Sequence, residues 1–548
     1  MQIKTLGYCE WSDERLIQLI RSGKAKEILS ARGQFVVIAE EQSVTTIVTS
    51  HHSVQHYYYA ACADSVIHGE TVLDVCSGLD GPFRWNYRAI ADVLLLDHTI
   101  GNDTLYADVQ RTPPASVLVF EGGQIRSYLD VSHADPSPFS TSDLCANLQT
   151  EVMRWWGQAN DVLCLTGGLD SRLLLSVLLK CGERPRLLVC GHRDSHDLRV
   201  ARAISRKFSL ELTECEVTAA DFLADAERLV SRTNGQLPLS HWPGVLFPRY
   251  LRGTRMFLGF NGEALRSYYD SRGVLSMVRA GLSSHGYFAR NLWHQRTALA
   301  LTDQETASLH PELQIALGQD GWQDRFDRLM PRHLQLGDAL DHIFTKVRTP
   351  NKSGTDISAI SLHTDWVVPF CSDSWVHAAR QAPRIWKYGN TLHRNLIHRF
   401  EPRLLDFPTD ATVPAPTWFR QLSRSVLCRR PPGQTQDHFF DQDQYRSPEL
   451  VEYCERSLAN LHELFDVTEW PRWSDGLRSR LFFSLASMGL WRRMRGSIKK
   501  RDSVCETYSQ GEGRKFEEGQ SGIRTRVCSW TKVAPSTPCS NNHPADGC

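Results

Sequence analysis

Runs of β-branched and aromatic residues broken by polar turns dominate the first 130 positions, and predict strands. Phe35-Val36-Val37-Ile38-Ala39 and Thr45-Thr46-Ile47-Val48-Thr49 flank a polar Glu-Glu-Gln-Ser turn, the pattern of a hairpin. Ser116 to Phe120 and Gln124 to Tyr128 flank Glu121-Gly122-Gly123 in the same way. Between them Tyr87, Ile90, Ala91 and Leu94 recur at helical spacing, predicting one amphipathic helix that covers a sheet. Residues 131–140 are polar with two prolines and read as a linker.

The periodicity then changes. Asp161-Val162-Leu163-Cys164-Leu165 is a buried-strand run that meets a Gly-Gly turn. Leu173, Leu174, Val177 and Leu178 form one helix face, ending at Gly182. Leu187 to Gly191 reads as a second strand, Leu198, Ala201, Ile204 and Ser205 as a second helix, and Leu210 to Val217 as a third strand. Strand and helix alternating at this spacing predict a parallel α/β sheet. From about residue 275 to 500 the pattern is mainly helical, with aromatic anchors. Residues 501–548 are rich in Ser, Gly, Lys, Glu and Pro and poor in large apolar side chains, which predicts a disordered tail.

A chain of 548 residues is too long for a single core, so two or more domains are expected. Sixty-two basic residues balance sixty-two acidic ones, which offers nothing to a nucleic acid or an anionic membrane. No apolar run approaches the roughly 20 residues of a membrane span, and the N-terminus has no secretory pattern, so a cytoplasmic protein is expected. Fifteen cysteines are scattered singly with no Cys-x-x-Cys, consistent with reduced thiols. The four in the tail (Cys505, Cys528, Cys539, Cys548) lack the paired spacing of zinc ligands. His51, His52 and His56, set among tyrosines, read as solvated residues at a strand edge rather than as ligands. Arg492, Arg493, Arg495, Lys499 and Lys500 read as a basic patch at a helix end, matched to the helix dipole.

The candidate chemistry lies in Thr166-Gly167-Gly168-Leu169-Asp170-Ser171, between a buried strand and an amphipathic helix. Parallel sheets bind ligands at the carboxyl ends of their strands. Two glycines expose backbone N–H groups there, and the helix adds its positive end, which together make an anion seat. Thr166 and Ser171 add hydroxyls, and Asp170 a carboxylate suited to Mg²⁺. The Gly-x-x-x-x-Gly-Lys-Ser/Thr loop is absent.

This hexapeptide resembles the Ser-Gly-Gly-Leu-Asp-Ser pyrophosphate loop of the asparagine synthetases and β-lactam synthetases, with Thr in place of the first Ser. The resemblance implies cleavage of ATP between the α and β phosphates to give an acyl-AMP. It also places Val189 and Gly191 of the second strand, with Gly259 and Gly262, beside the nucleotide. Asp197-Leu-Arg-Val-Ala201 is similar to the helix start that the family sets next to it. Leu258-Gly259-Phe260-Asn261-Gly262-Glu263 resembles Ser-Gly-Glu-Gly-Ala-Asp, which puts Glu263 on a Mg²⁺ ligand; Phe260 departs from the pattern. Asp365-Trp-Val-Val-Pro369-Phe370 resembles Glu-x-Arg-x-Pro-Phe, which implies that Asp365 assists the incoming amine, with Val367 in place of the family's arginine. A family lysine farther along has no counterpart, since no lysine occurs between Lys387 and Lys499; Arg420 and Arg429 are the candidate replacements.

Residues 1–130 are similar to the family's glutaminase domain, through Arg32-Gly33-Gln34-Phe35 and Gly101-Asn-Asp-Thr104 leading to Pro113-Pro114. That enzyme needs a cysteine after the initiator Met as nucleophile, and Gln2 stands there. The implied architecture is an α+β sandwich of the Ntn-hydrolase type (1–130), then an α/β domain of the adenine-nucleotide α-hydrolase type with a parallel sheet and a helical C-terminal part (141–500). The implied cofactors are ATP and Mg²⁺. The implied substrates are a small-molecule or peptide carboxylate and an amine donor, with no nucleic acid and no membrane. Free asparagine and a specialised product of the lasso-peptide or β-lactam kind both remain open, as does a non-catalytic nucleotide-binding descendant.

Overall fold

A computed structural model of the chain describes residues 1–129 (apart from 64 and 123), 139–239 (apart from 194), 253–270 (apart from 267), 285–286, 306–409 (apart from 363), 446–465 and 479–509. Residues 130–138, at the predicted linker, together with Arg420, Arg429, Cys528, Cys539 and Cys548, lie outside the described residues. The described chain is mixed α+β.

Its N-terminal elements are β1 (Gln2–Cys9), α1 (Asp13–Arg21), β2 (Gly33–Glu41), β3 (Val44–Thr49), β4 (Tyr58–Ala61), β5 (Val66–Gly69), α2 (Val72–Ser77), α3 (Tyr87–Leu96), β6 (Gln110–Arg111), β7 (Ser116–Glu121) and β8 (Gln124–Leu129). Both predicted hairpins form, within an antiparallel sheet of order β1-β2-β3-β7-β8. Alternation divides the side chains between two faces. Phe35, Val37, Val48 and Val117 pack with Leu16 of α1, whereas Val36, Ile38, Ile47, Leu118 and Phe120 pack with Tyr57 on the other side. The predicted helix is α3, capped by the Asn86 side chain. It buries its apolar face in a core shared with β4 and the helix Pro311–Leu317, rather than against the five-stranded sheet.

Then follow α4 (Thr141–Trp155), β9 (Asp161–Cys164), α5 (Leu169–Lys180), β10 (Arg186–Gly191), α6 (His196–Phe208), β11 (Leu212–Glu216), α7 (Ala219–Thr233), β12 (Arg255–Phe257) and β13 (Asp365–Val367). Their five strands form a parallel sheet of order β11-β10-β9-β12-β13. Both faces are covered, which explains the unbroken apolar runs. Leu163, Leu187, Val189, Phe257 and Val367 meet α4, α5 and α6, while Val162, Cys164, Leu188, Met256 and Trp366 meet the core that contains α7. Gly182, at φ +85°, ends α5 where a side chain would be strained.

Two expectations about the C-terminal region need correction. The helix Ser479–Ser509 continues through the first nine residues of the predicted tail. The basic cluster therefore lies within this helix rather than at its end: Arg492 pairs with Glu463 at 2.7 Å, Arg493 with Glu227 at 2.9 Å, and Arg495 is buried. Carboxylates of other segments, not the helix dipole, hold Arg492 and Arg493. No helix among the described residues is long and apolar enough to cross a membrane.

Polar contacts join the N-terminal sheet to the second part of the chain. The Val368 N–H donates to the Tyr8 hydroxyl at 3.2 Å, Gln34 donates to the Cys371 carbonyl at 2.8 Å, and Arg32 meets Glu151 at 2.9 Å. His52 Nε2 lies 3.1 Å from Asp373, and His56 Nε2 lies 2.7 Å from the Pro350 carbonyl. The reading of these two histidines as solvated is therefore wrong: both are buried in this junction. Burial holds their imidazoles neutral, with pKa values lowered to about 4 for His52 and about 3 for His56.

Candidate functional site

In the parallel sheet β10 and β11 lie to one side of β9, and β12 and β13 to the other. Chain direction across the sheet reverses between β9 and β12, the position where open α/β sheets form a ligand crevice at their carboxyl ends. The loop Thr166 to Ser171 leaves β9 there, and Leu258 to Glu263 leaves β12.

The first loop is held by its own side chains. The Thr166 N–H donates to Ser171 Oγ at 3.0 Å, and the Gly168 N–H to Thr166 Oγ1 at 3.3 Å. The Gly167 N–H donates to Asp197 Oδ1 at 2.6 Å, which brings the start of α6 onto the loop as the sequence implied. Gly168 is the N-cap of α5 and carries no side chain to satisfy the helix's first-turn amides. Arg172, fully buried, donates to the carbonyls of Gly167, Phe407 and Pro408. It turns the Gly167 carbonyl inward and ties the chain at 407–408 to the loop.

The second loop explains its glycines by close approach. A Cβ on Gly262 would lie 2.4 Å from Asp170 Oδ1, and one on Gly259 would lie 3.0 Å from the Ser171 nitrogen. Asn261, at φ +70°, fixes the turn by donating to the Phe370 carbonyl at 2.7 Å and accepting from Thr349 at 2.7 Å. Glu263, two residues on, is 22% exposed, with Arg266 3.7 Å from its carboxylate.

Asp170 Oδ1 is 2.6 Å from His393 Nε2, and the Asp170 side chain keeps 24% exposure. Burial acts to raise its pKa, but the charge and hydrogen bond of His393, with the charge of Arg266, outweigh it and leave the carboxyl below its ordinary value. Arg266 thus bears on both Asp170 and Glu263. Among the described residues no group of three or more His, Cys, Asp or Glu side chains is disposed to hold a metal. One or two carboxylates are what Mg²⁺ takes from a protein when phosphates and water complete its shell; Asp170 and Glu263 fit that pattern.

Gly191 ends β10 at φ +152°, a conformation that favours glycine, whereas Val189 is buried in the core below the crevice. Phe260 packs against the larger core. Asp365 is not brought to the crevice. It opens β13 in register with Arg255, which is itself in register with Asp161, so it lies exposed at the amino end of the sheet. His393, Arg172 and Arg266 were missed by motif reasoning. The available signals were a histidine four residues before Ile397 on the buried face of the helix Thr391–Phe400, and an arginine leading the run Leu173-Leu174-Leu175.

The chain matches no protein-family model and has no significant match among curated proteins.

Proposed function

We propose that the chain binds ATP with Mg²⁺ in this crevice and activates a carboxylate as an acyl-adenylate, as an ATP-dependent carbon–nitrogen ligase of the asparagine synthetase type. The observation that carries the reading is the packing of Gly262 against Asp170, which draws two carboxylate-bearing loops together where the sheet order reverses. On this reading the N-terminal part is an Ntn-type sandwich without its nucleophile, because Gln2 begins β1. The second part is a nucleotide domain of the adenine-nucleotide α-hydrolase type. The nitrogen then comes from ammonia or from an amine on the substrate.

The residues present suggest a division of labour. The first-turn amides of α5 and the hydroxyls of Thr166 and Ser171 take the outer phosphates. His393 orients Asp170 by holding one of its oxygens, and Arg172 keeps the loop in place. Asp170 and Glu263 would hold Mg²⁺, which when bound neutralises charge on the polyphosphate. A substrate carboxylate oxygen attacks the α phosphorus, the bond to the bridging α–β oxygen breaks, and pyrophosphate leaves with the electron pair. The amine then attacks the acyl carbon and AMP departs.

A second reading, nucleotide binding without amide formation, is favoured by the place of Asp365 at the amino end of the sheet and by the absence of lysine from 388 to 498. ATP–pyrophosphate exchange with a panel of amino acids and peptides separates the two. The ligase reading expects exchange with at least one acid and its loss in Asp170→Ala. Binding of Mg·ATP with no exchange under any acid supports the second reading, and no binding at all removes both.

A further inference from the structure

The Gly167 amide, the one that a glycine pair should offer to an incoming phosphate, is already engaged. Its N–H donates to Asp197 Oδ1 at 2.6 Å, a short bond of the charge-assisted kind. The space over the residue is filled as well, since a Cβ built on Gly167 would lie 2.7 Å from His196 Cδ2 and 2.9 Å from Asp197 Oδ1. The Thr166 and Gly168 amides are satisfied within the loop itself. The Ser195 side chain caps α6 and so fixes the first turn that carries Asp197. The carboxylate thus sits in the loop as an internal anion.

We propose that Asp197 is the specificity determinant of the phosphate loop, its carboxylate holding the anion seat at Gly167 so that only a polyphosphate carrying a divalent cation displaces it. This rests on the reading that the loop receives a polyphosphate. A bare anion would have to break the Gly167–Asp197 bond and then lie beside the Asp197 carboxylate. Both terms oppose binding. A cation-bridged polyphosphate removes the repulsion, because the cation offers Asp197 a positive partner in exchange for the amide it surrenders. Free phosphate and metal-free pyrophosphate are thereby excluded from a loop that would otherwise accept any small anion.

The test is calorimetric titration of the full-length chain with pyrophosphate and with ATP, each in Mg²⁺ and in a chelator. The wild-type chain is expected to bind the magnesium complexes at least 100-fold more tightly than the bare anions. Asp197→Asn keeps the acceptor oxygen and the side-chain length but removes the charge. It should tighten metal-free pyrophosphate binding at least tenfold without tightening the magnesium complex, so that the preference for the complex shrinks at least tenfold. Should its thermal midpoint show that Asp197→Asn is poorly folded, Asp197→Ala is read in the same assay with the same expectation. Equal affinity of the wild-type chain for bare and magnesium-bound pyrophosphate overturns the proposal without any variant. A magnesium preference that neither variant shrinks overturns it while leaving the phosphate-loop reading standing. If nothing binds the wild-type chain in either condition, that reading fails and this inference fails with it.

Discussion

The two ends of the parallel sheet each carry a carboxylate with a basic partner, and they use it differently. At the amino end Asp161 accepts the N–H groups of Gly157 at 2.8 Å and Gln158 at 2.9 Å, and the Arg255 guanidinium at 2.8 Å. Its side chain is 1% exposed. Both oxygens have donors, and the cluster closes the start of β9 and β12. At the carboxyl end Asp170 is bonded to His393 through Oδ1, keeps 24% exposure and feels the charge of Arg266. A fully satisfied carboxylate belongs to the scaffold. One satisfied on a single oxygen, at a crevice, is placed for a ligand.

The largest expected effect breaks the scaffold end. Asp161→Asn removes the counter-charge of the Arg255 guanidinium, which is 11% exposed and keeps the Trp155 carbonyl as a neutral partner, and losing one charge of a buried pair costs about 3–5 kcal/mol. Chemical denaturation should show that loss in the transition of the parallel-sheet region. A change under about 1 kcal/mol would mean that Arg255 and the two amides find water instead. At the other end, Asp170→Ala should lower ATP–pyrophosphate exchange by about 10²–10³-fold, the scale for losing one preorganised electrostatic group. Its thermal midpoint should fall less than that of Asp161→Asn, because Asp170 keeps 24% exposure and makes one hydrogen bond, to the buried His393. If both variants lose stability alike, the two ends are not distinct in kind.

Much of this contrast was readable from the sequence, for a physical reason. The strand–loop–helix around Thr166 is local, and periodicity and glycine placement encode it within a short window. The same holds for both N-terminal hairpins and for α6. The unread parts depend on contacts between distant segments. His393 meets Asp170 from 223 residues away, and His56 meets the Pro350 carbonyl from 294 residues away. Nothing in the tyrosine-rich neighbourhood of His56 shows that a distant helix will cover it. Asp365 failed differently: the motif match was local, but which end of a three-residue strand the side chain occupies is set by register with β12.

The buried histidines extend the scaffold pattern to the junction and give it a pH signature. The His56 pKa falls from 6.5 to about 3 on burial, so between those values the unfolded chain binds a proton that the folded chain refuses. Stability contributed by the neutral ring is complete above pH 6.5 and declines as pH falls toward 3. The loss between pH 7 and pH 5 is about 2 kcal/mol. His52, lowered to about 4, adds a loss of the same sign. Denaturation across this range should show the slope, and His56→Gln should flatten it. A variant as acid-sensitive as the wild-type chain would place the titrating groups elsewhere.

The smallest expected effect is the sharpest test of the contrast between the ends. Asp365 is exposed, has no hydrogen bond or ion pair assigned to it among the described residues, and stands in register with Arg255 at the scaffold end. An exposed carboxylate without a specific partner contributes within about 0.5 kcal/mol to stability. At the far end of the strand from the crevice it has no route to a proton on an amine there, since proton transfer needs hydrogen-bond distance or one bridging water. Asp365→Ala should therefore leave thermal midpoint, Mg·ATP affinity and exchange rate unchanged within twofold. A drop of tenfold or more in amide formation, with exchange intact, would carry Asp365 back into the chemistry and require β13 to shift its register on substrate binding. An unchanged rate would show that the amine-activating group, if the chain forms amides, comes from another segment.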